Sequence, residues 1–245
     1  MDDKTKKWLK SVARNLRSNW SKAYGSLRSM RRDYRQRFDM TLREWYLYHQ
    51  RSVHFNKCHW MGVPALKNPL DAWIYQEILY EVKPEVIVEI GSLYGGSTLY
   101  FAHLLDLIGK GVVISVDIKR NSFRANHKRI VLVTGDSSSP EVVNEVSEYC
   151  RGKTVLVIHD GGHTKGQVLK DLRAYSPLVS VNSYFIVEDG IVDLFNAGDG
   201  LGTNYDGPVS ATEQFLKENP HFVVDLECER YILTYNPRGY LKRIR

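Results

Sequence analysis

From residue 86 onward the chain alternates short Val- and Ile-rich runs with segments of helical period, and few folds can absorb such an alternation. The runs Val86–Ile90, Val112–Asp117, Ile130–Thr134, Val155–His159 and Tyr184–Val187 read as buried strands. Between and around them Pro69–Val82, Gly96–Ile108, Pro140–Cys150, Lys165–Tyr175 and Pro208–Glu218 read as helices. Strands separated by helices of this length require right-handed crossovers and a mostly parallel, doubly wound sheet. The last two β-rich runs, 222–228 and 231–235, are parted only by Glu229 and Arg230, which predicts an antiparallel hairpin at the C-terminal edge of a seven-stranded sheet.

A parallel sheet finished by such a hairpin is the outline of the Rossmann-like class I methyltransferase fold. The turn after the first strand, Gly91-Ser-Leu-Tyr-Gly95-Gly96-Ser97, supplies its ligand logic. Gly91 lets backbone approach a ligand, and the later glycines let the next helix start tightly against it. Dinucleotide-binding proteins use such turns too, so the acids around this one matter. Asp117, closing the second strand, suits ribose hydroxyls of either cofactor. Glu89, two residues before Gly91, would repel a pyrophosphate but could hold, directly or through water, the cationic end of a methionine. This favours S-adenosylmethionine, with Ser92, Tyr94, Gly95 and Ser97 in the turn and Asp136 and Ser137 placed to read adenine. Residues 137–139 read equally well as a helix N-cap before Pro140.

Three acids and a histidine close two consecutive strands: Asp160 and His163 follow Val155–His159, and Glu188 with Asp189 follows Tyr184–Val187. Neighbouring parallel strands open onto one crevice, so these residues can surround a single hard cation with a base beside it. Singly, Glu188 and Asp189 are also ordinary loop acids, and His163 an ordinary residue before a helix.

Several stretches together resemble the cephalosporin hydroxylase family and metal-dependent sugar O-methyltransferases that modify macrolide deoxysugars and rhamnosyl groups. They are Val88-Glu-Ile-Gly-Ser-Leu-Tyr-Gly-Gly-Ser97, Ile114-Ser-Val-Asp117, Asp160-Gly-Gly-His163, Tyr175-Ser-Pro-Leu-Val179, Ile186-Val-Glu-Asp189 and Tyr231-Ile-Leu-Thr-Tyr-Asn-Pro-Arg-Gly-Tyr-Leu241. The resemblance covers 69–241 and implies Mg²⁺ held by Asp160, Glu188 and Asp189, with His163 as general base. The implied reaction is methyl transfer from S-adenosylmethionine to a hydroxyl of a sugar or glycoconjugate. An oxygenase, as the family's historical name suggests, would favour a two-histidine, one-carboxylate triad, which is not apparent. A third reading is a non-catalytic cofactor-binding protein associated with a membrane. His54, His103, His127 and His221 have no sequence partner and read as structural or exposed, while Tyr94, His59 and Trp60 could stack on a sugar or adenine.

The formal charge of +6 is concentrated at one end. Residues 1–37 hold twelve basic and three acidic side chains, a net +9, whereas the rest holds 22 basic and 25 acidic, a net −3. Trp8, Val12, Leu16, Trp20 and Tyr24 recur every four residues within this basic stretch, so residues 1–68 read as a helical extension before a domain spanning 69–245. The stripe can pack on the body or a sister subunit in a homo-oligomer, or lie on an anionic membrane face. No recognised nucleic-acid module follows. Without a signal-like or membrane-spanning apolar run, a cytoplasmic location is expected, with contact at the inner membrane face as the peripheral alternative. Cys58, Cys150 and Cys228 form no paired motif and read as incidental thiols.

Overall fold

The computed structural model describes residues 38–196, 198 and 202–245. The apolar stripe at residues 8–24 lies outside the described residues. Tyr46–Arg245 form one compact unit, which takes in residues 46–68 of the expected helical extension. Helix α1 (Leu42–His49) begins with a capping box, in which Thr41 and Glu44 each accept from the other's backbone N–H. Next come a π-helical turn (Gln50–His54), one short turn (Phe55–Lys57) and a small hairpin pairing His59–Trp60 with Val63–Pro64.

Among the described residues the main sheet has seven strands: β1 (Val86–Ile90), β2 (Val112–Asp117), β3 (Ile130–Thr134), β4 (Val155–His159), β5 (Tyr184–Val187), β6 (Phe222–Val224) and β7 (Tyr240–Arg243). Their order is β3-β2-β1-β4-β5-β7-β6. The first five are parallel, with Ile90 level with Val116 of β2 and His159 of β4. β7 runs antiparallel to both β5 and β6.

Strand parity sends alternate side chains to two cores. Val86, Val88 and Ile90 face α4 (Pro140–Cys150), α5 (Lys165–Tyr175) and α6 (Pro208–Glu218) through Val146, Leu172 and Phe215. Ile87 faces α2 (Pro69–Val82) and α3 (Gly96–Ile108) through Ile78, Leu79, Phe101 and Leu105. Both faces are covered, so the strands are apolar throughout instead of alternating with polar residues. Pro at the first turn of α2, α4 and α6 sets their starts, and Asn68, Ser139 and Thr164 cap α2, α4 and α5.

The expected C-terminal hairpin differs from the observed one. β6 ends at Val224, Leu226–Glu229 form a 3₁₀ turn, and the final strand is Tyr240–Arg243 instead of 231–235. The reason lies in Asp71 on α2, which is 3% exposed. Its carboxylate accepts from the Tyr235 backbone N–H at 2.8 Å, the Tyr240 hydroxyl at 2.9 Å and the Thr234 hydroxyl at 2.5 Å. These groups satisfy a buried acid in place of a ladder, and Ile232 sits at φ 66°, outside strand geometry. In the glycine-rich stretch of sequence 196–207, residues 197 and 199–201 lie outside the described residues. No helix among the described residues is long and apolar enough to cross a membrane.

Candidate active site

The chain crosses from β1 to β2 on one side while β4 flanks β1 on the other, and this divergence opens a crevice at the carboxyl ends of the strands. A cavity of ≈ 620 Å³ lies there. At its centre Gly91 has φ +85°, and a Cβ at that position would lie 2.1 Å from the Asp160 carbonyl oxygen. Only glycine allows the turn after β1 and the end of β4 to meet so closely. The Asp160 N–H donates to the Ile90 carbonyl at 2.7 Å, which fixes the first acid to the same junction.

One end of the cavity is lined by Gly91, Ser92, Tyr94, Ser97, Asp117, Asp136 and Ser137. The Asp117 carboxylate accepts the backbone N–H groups of Ser92 at 3.0 Å, Leu93 at 2.9 Å and Lys119 at 3.1 Å. Burial pushes its pKa upward, but these three donors outweigh that and hold it below the ordinary value. Asp117 therefore stays ionised and braces the turn. Asp136 accepts from the Ser138 N–H and hydroxyl, both at 2.9 Å, and Ser139, not Ser137, is the N-cap of α4. The Ser137 hydroxyl donates to Asp171 at 2.9 Å. Gly95, at φ +83°, packs under Phe123 and lies behind the lining.

Glu89 is not brought to the cavity wall. Its strand parity points it toward α3, where the Thr98 hydroxyl donates to it and solvent is excluded. Burial raises its pKa to about 7 against the opposing pull of Lys67. Trp60, expected as a possible stacking ring, instead packs edge-on against Tyr100 and donates to His103 at 3.0 Å.

At the other end Asp160, His163 and Asp189 each offer a ligand atom, all within 4.8 Å of one another. His163 Nε2 lies 3.4 Å from Asp189 Oδ2. Glu188, 4% exposed, stands outside this group of three and outside the cavity lining. Lys67, which carries no recognisable signal in the sequence, places its Nζ 2.5 Å from Asp160 Oδ2 and 2.6 Å from Glu188 Oε2. Burial opposes its charge, yet the two carboxylates prevail and hold its pKa above the ordinary lysine value. The acids remain crowded: burial and then the Asp160 charge raise the pKa of both Glu188 and Asp189. Glu188 Oε1 is buried with no partner among the described residues. Two carboxylates at the cavity, Asp160 and Asp189, with a third, Glu188, sharing Lys67 with Asp160, make an oxygen-rich set that fits a hard divalent cation such as Mg²⁺. The glycine turn and the ionised Asp117 at the opposite end fit an adenosyl cofactor.

Beneath both ends, His159 Nε2 and Asp171 Oδ2 meet at 3.0 Å, each no more than 1% exposed. Asp171 also accepts from Gln167 at 3.1 Å. This pair links the end of β4 to the loop carrying Ser137, and neither residue stood out in sequence. Nor did His54, read as structural or exposed, which lines the cavity together with Gln50.

Comparisons with known proteins agree with this architecture. Residues 52–244 match the model of the Rhamnosyl O-methyltransferase/CmcI family. The chain is 31% identical over 214 residues to the rhamnosyl O-methyltransferase of Mycobacterium leprae (strain TN), covering 84% of this chain and 91% of the relative. It is 30% identical over 215 residues to the rhamnosyl O-methyltransferase of Mycobacterium tuberculosis (strain ATCC 25618 / H37Rv), covering 84% and 86%. A solved structure described as cmcI-D160 Mg-SAM shares the fold, with TM-score 0.58, 24% identity and 76% of each chain covered. With its class I sheet order and a matched span that includes both ends of the cavity, the chain belongs to the Rhamnosyl O-methyltransferase/CmcI family and is an O-methyltransferase.

Proposed function

We infer that this protein methylates a hydroxyl of a sugar or glycoconjugate, using S-adenosylmethionine and a Mg²⁺ ion held by Asp160, Glu188 and Asp189. One observation carries the reading: a single cavity joins the Gly91–Asp117 end to the acid cluster through the backbone contact between Gly91 and Asp160. The sugar class is supported by the rhamnosyl O-methyltransferases that cover most of this chain. When bound, the cofactor supplies a methyl group on a good leaving sulfur, and the ion supplies a Lewis acid that lowers the pKa of a hydroxyl.

The residues divide the remaining work. An alcohol is a poor nucleophile until its proton is removed, and His163 is the base at the acid cluster. Asp189, 3.4 Å from His163 Nε2, stabilises the imidazolium that forms when the proton arrives. With the methyl group passed to the acceptor oxygen and the sulfur left as a neutral thioether, His163 would return its proton to solvent. Asp117 holds the turn that seats the cofactor, with Ser92, Tyr94, Ser97, Asp136 and Ser137 along the same wall. Glu89 acts from behind that wall, through Thr98 at the start of α3. The acid cluster holds one histidine with two carboxylates, which suits this chemistry better than an oxygenase triad.

Incubation with labelled S-adenosylmethionine and a panel of glycosides, with Mg²⁺ or with excess chelator, tests the reading. Transfer to a sugar that disappears on chelation and returns with Mg²⁺ is expected; full activity in chelator would remove the ion's role. The basic residues 1–37 favour a peripheral contact with an anionic membrane face or a sister subunit. Liposome co-sedimentation of the full chain against one starting at Thr41 separates these two.

A further inference from the structure

The acceptor end of the cavity has a wall that the reaction above does not use. It is the π-helical turn Gln50–His54, followed by Phe55. π-Helical turns are strained relative to α-helix and concentrate at functional positions. Here the turn presents two buried polar atoms that no other described residue satisfies, Gln50 Oε1 and His54 Nδ1. Buried polar atoms in folded proteins are nearly always paired, so two on one short segment lining a cavity point to a polar ligand.

The segment is held firmly. His54 is only 6% exposed, and its ring lies 5.1 Å from the Tyr235 ring. The Tyr235 hydroxyl is in turn 2.9 Å from His49 Nδ1, and its backbone N–H is tied to Asp71. Burial lowers the His54 pKa to about 4, so its imidazole is neutral and one ring nitrogen offers a lone pair. Phe55 meets the His54 ring edge-on at 5.0 Å but remains 57% exposed at the cavity mouth. Two fixed acceptors beside an exposed ring match a pyranose, which has hydroxyl donors around its rim and an apolar C–H face.

We propose that Gln50 and His54 recognise the acceptor sugar by accepting hydrogen bonds from hydroxyls other than the one methylated, with Phe55 stacking on the sugar's C–H face. The proposal rests on the sugar reading given above and names the residues that would determine which sugar is taken. It also accounts for the placement of 231–235 as a buttress instead of a strand, since Tyr235 sets the His54 ring.

The test uses the full chain loaded with S-adenosylhomocysteine and Mg²⁺ and, as probe, methyl α-L-rhamnopyranoside, with the matching fucoside and glucoside as companions. Saturation-transfer NMR measures sugar binding, and calorimetry measures S-adenosylhomocysteine binding. Gln50→Ala and His54→Leu should each weaken the preferred glycoside about three- to tenfold, the loss of one hydrogen bond, with the cofactor product bound as before. His54→Asn, whose side-chain oxygen can stand near the position of Nδ1, should recover part of the loss. Should His54→Leu fail to fold, Gln50→Ala carries the test alone. Unchanged sugar affinity in Gln50→Ala and His54→Leu, or no binding of any of the three glycosides to the unaltered protein, overturns the proposal. The two readings separate cleanly. Methyl transfer to a glycoside with unchanged KM in both variants removes this subsite and leaves the O-methyltransferase of sugars standing. Glycoside binding that is lost in the variants, without any transfer, leaves the subsite and removes the sugar as methyl acceptor.

Discussion

The two ends of the cavity are built by opposite strategies. At the cofactor end three side chains of the lining are already satisfied within the protein: Asp117 takes three backbone N–H groups, Asp136 takes Ser138, and Ser137 donates to Asp171. At the acceptor end, buried atoms of Gln50, His54, His163 and Glu188 have no partner among the described residues, and two of the three acids, Asp160 and Glu188, share one lysine. The first end is preorganised by hydrogen bonds made within the protein itself. The second stores unsatisfied polar and charged groups, whose energy favours whatever ligand completes them. A common donor and a variable acceptor place different demands on one fold, and the difference in satisfaction follows those demands.

The contrast breaks most sharply at His163. Its replacement by Ala should lower kcat by about 10²- to 10⁴-fold, with S-adenosylmethionine affinity held within about twofold by calorimetry. A large loss of cofactor binding would show that the ends are not independent. Lys67→Met comes next. Removing one partner of a buried ionic cluster destabilises by about 3–5 kcal/mol, read by urea denaturation in chelator. Added Mg²⁺ should restore more stability to this variant than to the unaltered protein, because a divalent ion then supplies the missing positive charge. An identical Mg²⁺ response in both would mean that Lys67 and the ion do not share ligands.

Asp117→Ala addresses the satisfied end. Loss of its charged hydrogen bonds to the turn should weaken S-adenosylmethionine by about 10- to 100-fold, on the order of 1.5–3 kcal/mol. At saturating cofactor, kcat should change little; a collapse of kcat would place Asp117 in the chemistry itself. The smallest effect belongs to Thr164, whose hydroxyl caps α5 next to His163. Thr164→Ala should cost about 1 kcal/mol of stability in the same urea assay and leave cofactor binding intact.

What could be read in advance follows the range of the interactions. The five parallel strands and five long helices declare themselves through period, Pro starts and caps, which are local properties. The placement of Asp160 and Asp189 at the crevice is legible for the same reason, since position along a strand fixes which residues reach it, whereas Glu188 stays outside the lining. The run 231–235 misled because its β-rich composition was overridden by Asp71, more than 160 positions away, which claims Thr234, Tyr235 and Tyr240. Lys67 was invisible on similar grounds, as its partners lie 93 and 121 residues further along the chain. Glu89 was legible as an unusual acid in an apolar strand. Its orientation was not, because whether it faced Thr98 or the cavity depended on how the strand was rotated in the sheet. His54 lies in a π-helical turn, for which the sequence shows no period at all.

The contact between Gly91 and the Asp160 carbonyl has a consequence for how such an enzyme can diversify. It joins the turn proposed to receive the donor to the end of β4, where Asp160, one of the three proposed metal ligands, sits, through backbone and not through side chains. The reach between donor and acceptor is thus set by main-chain geometry, which substitutions in the surrounding wall leave alone. Under the proposed subsite, residues such as Gln50, His54 and Phe55 are free to drift toward new sugars while the gauge of the reaction stays the same.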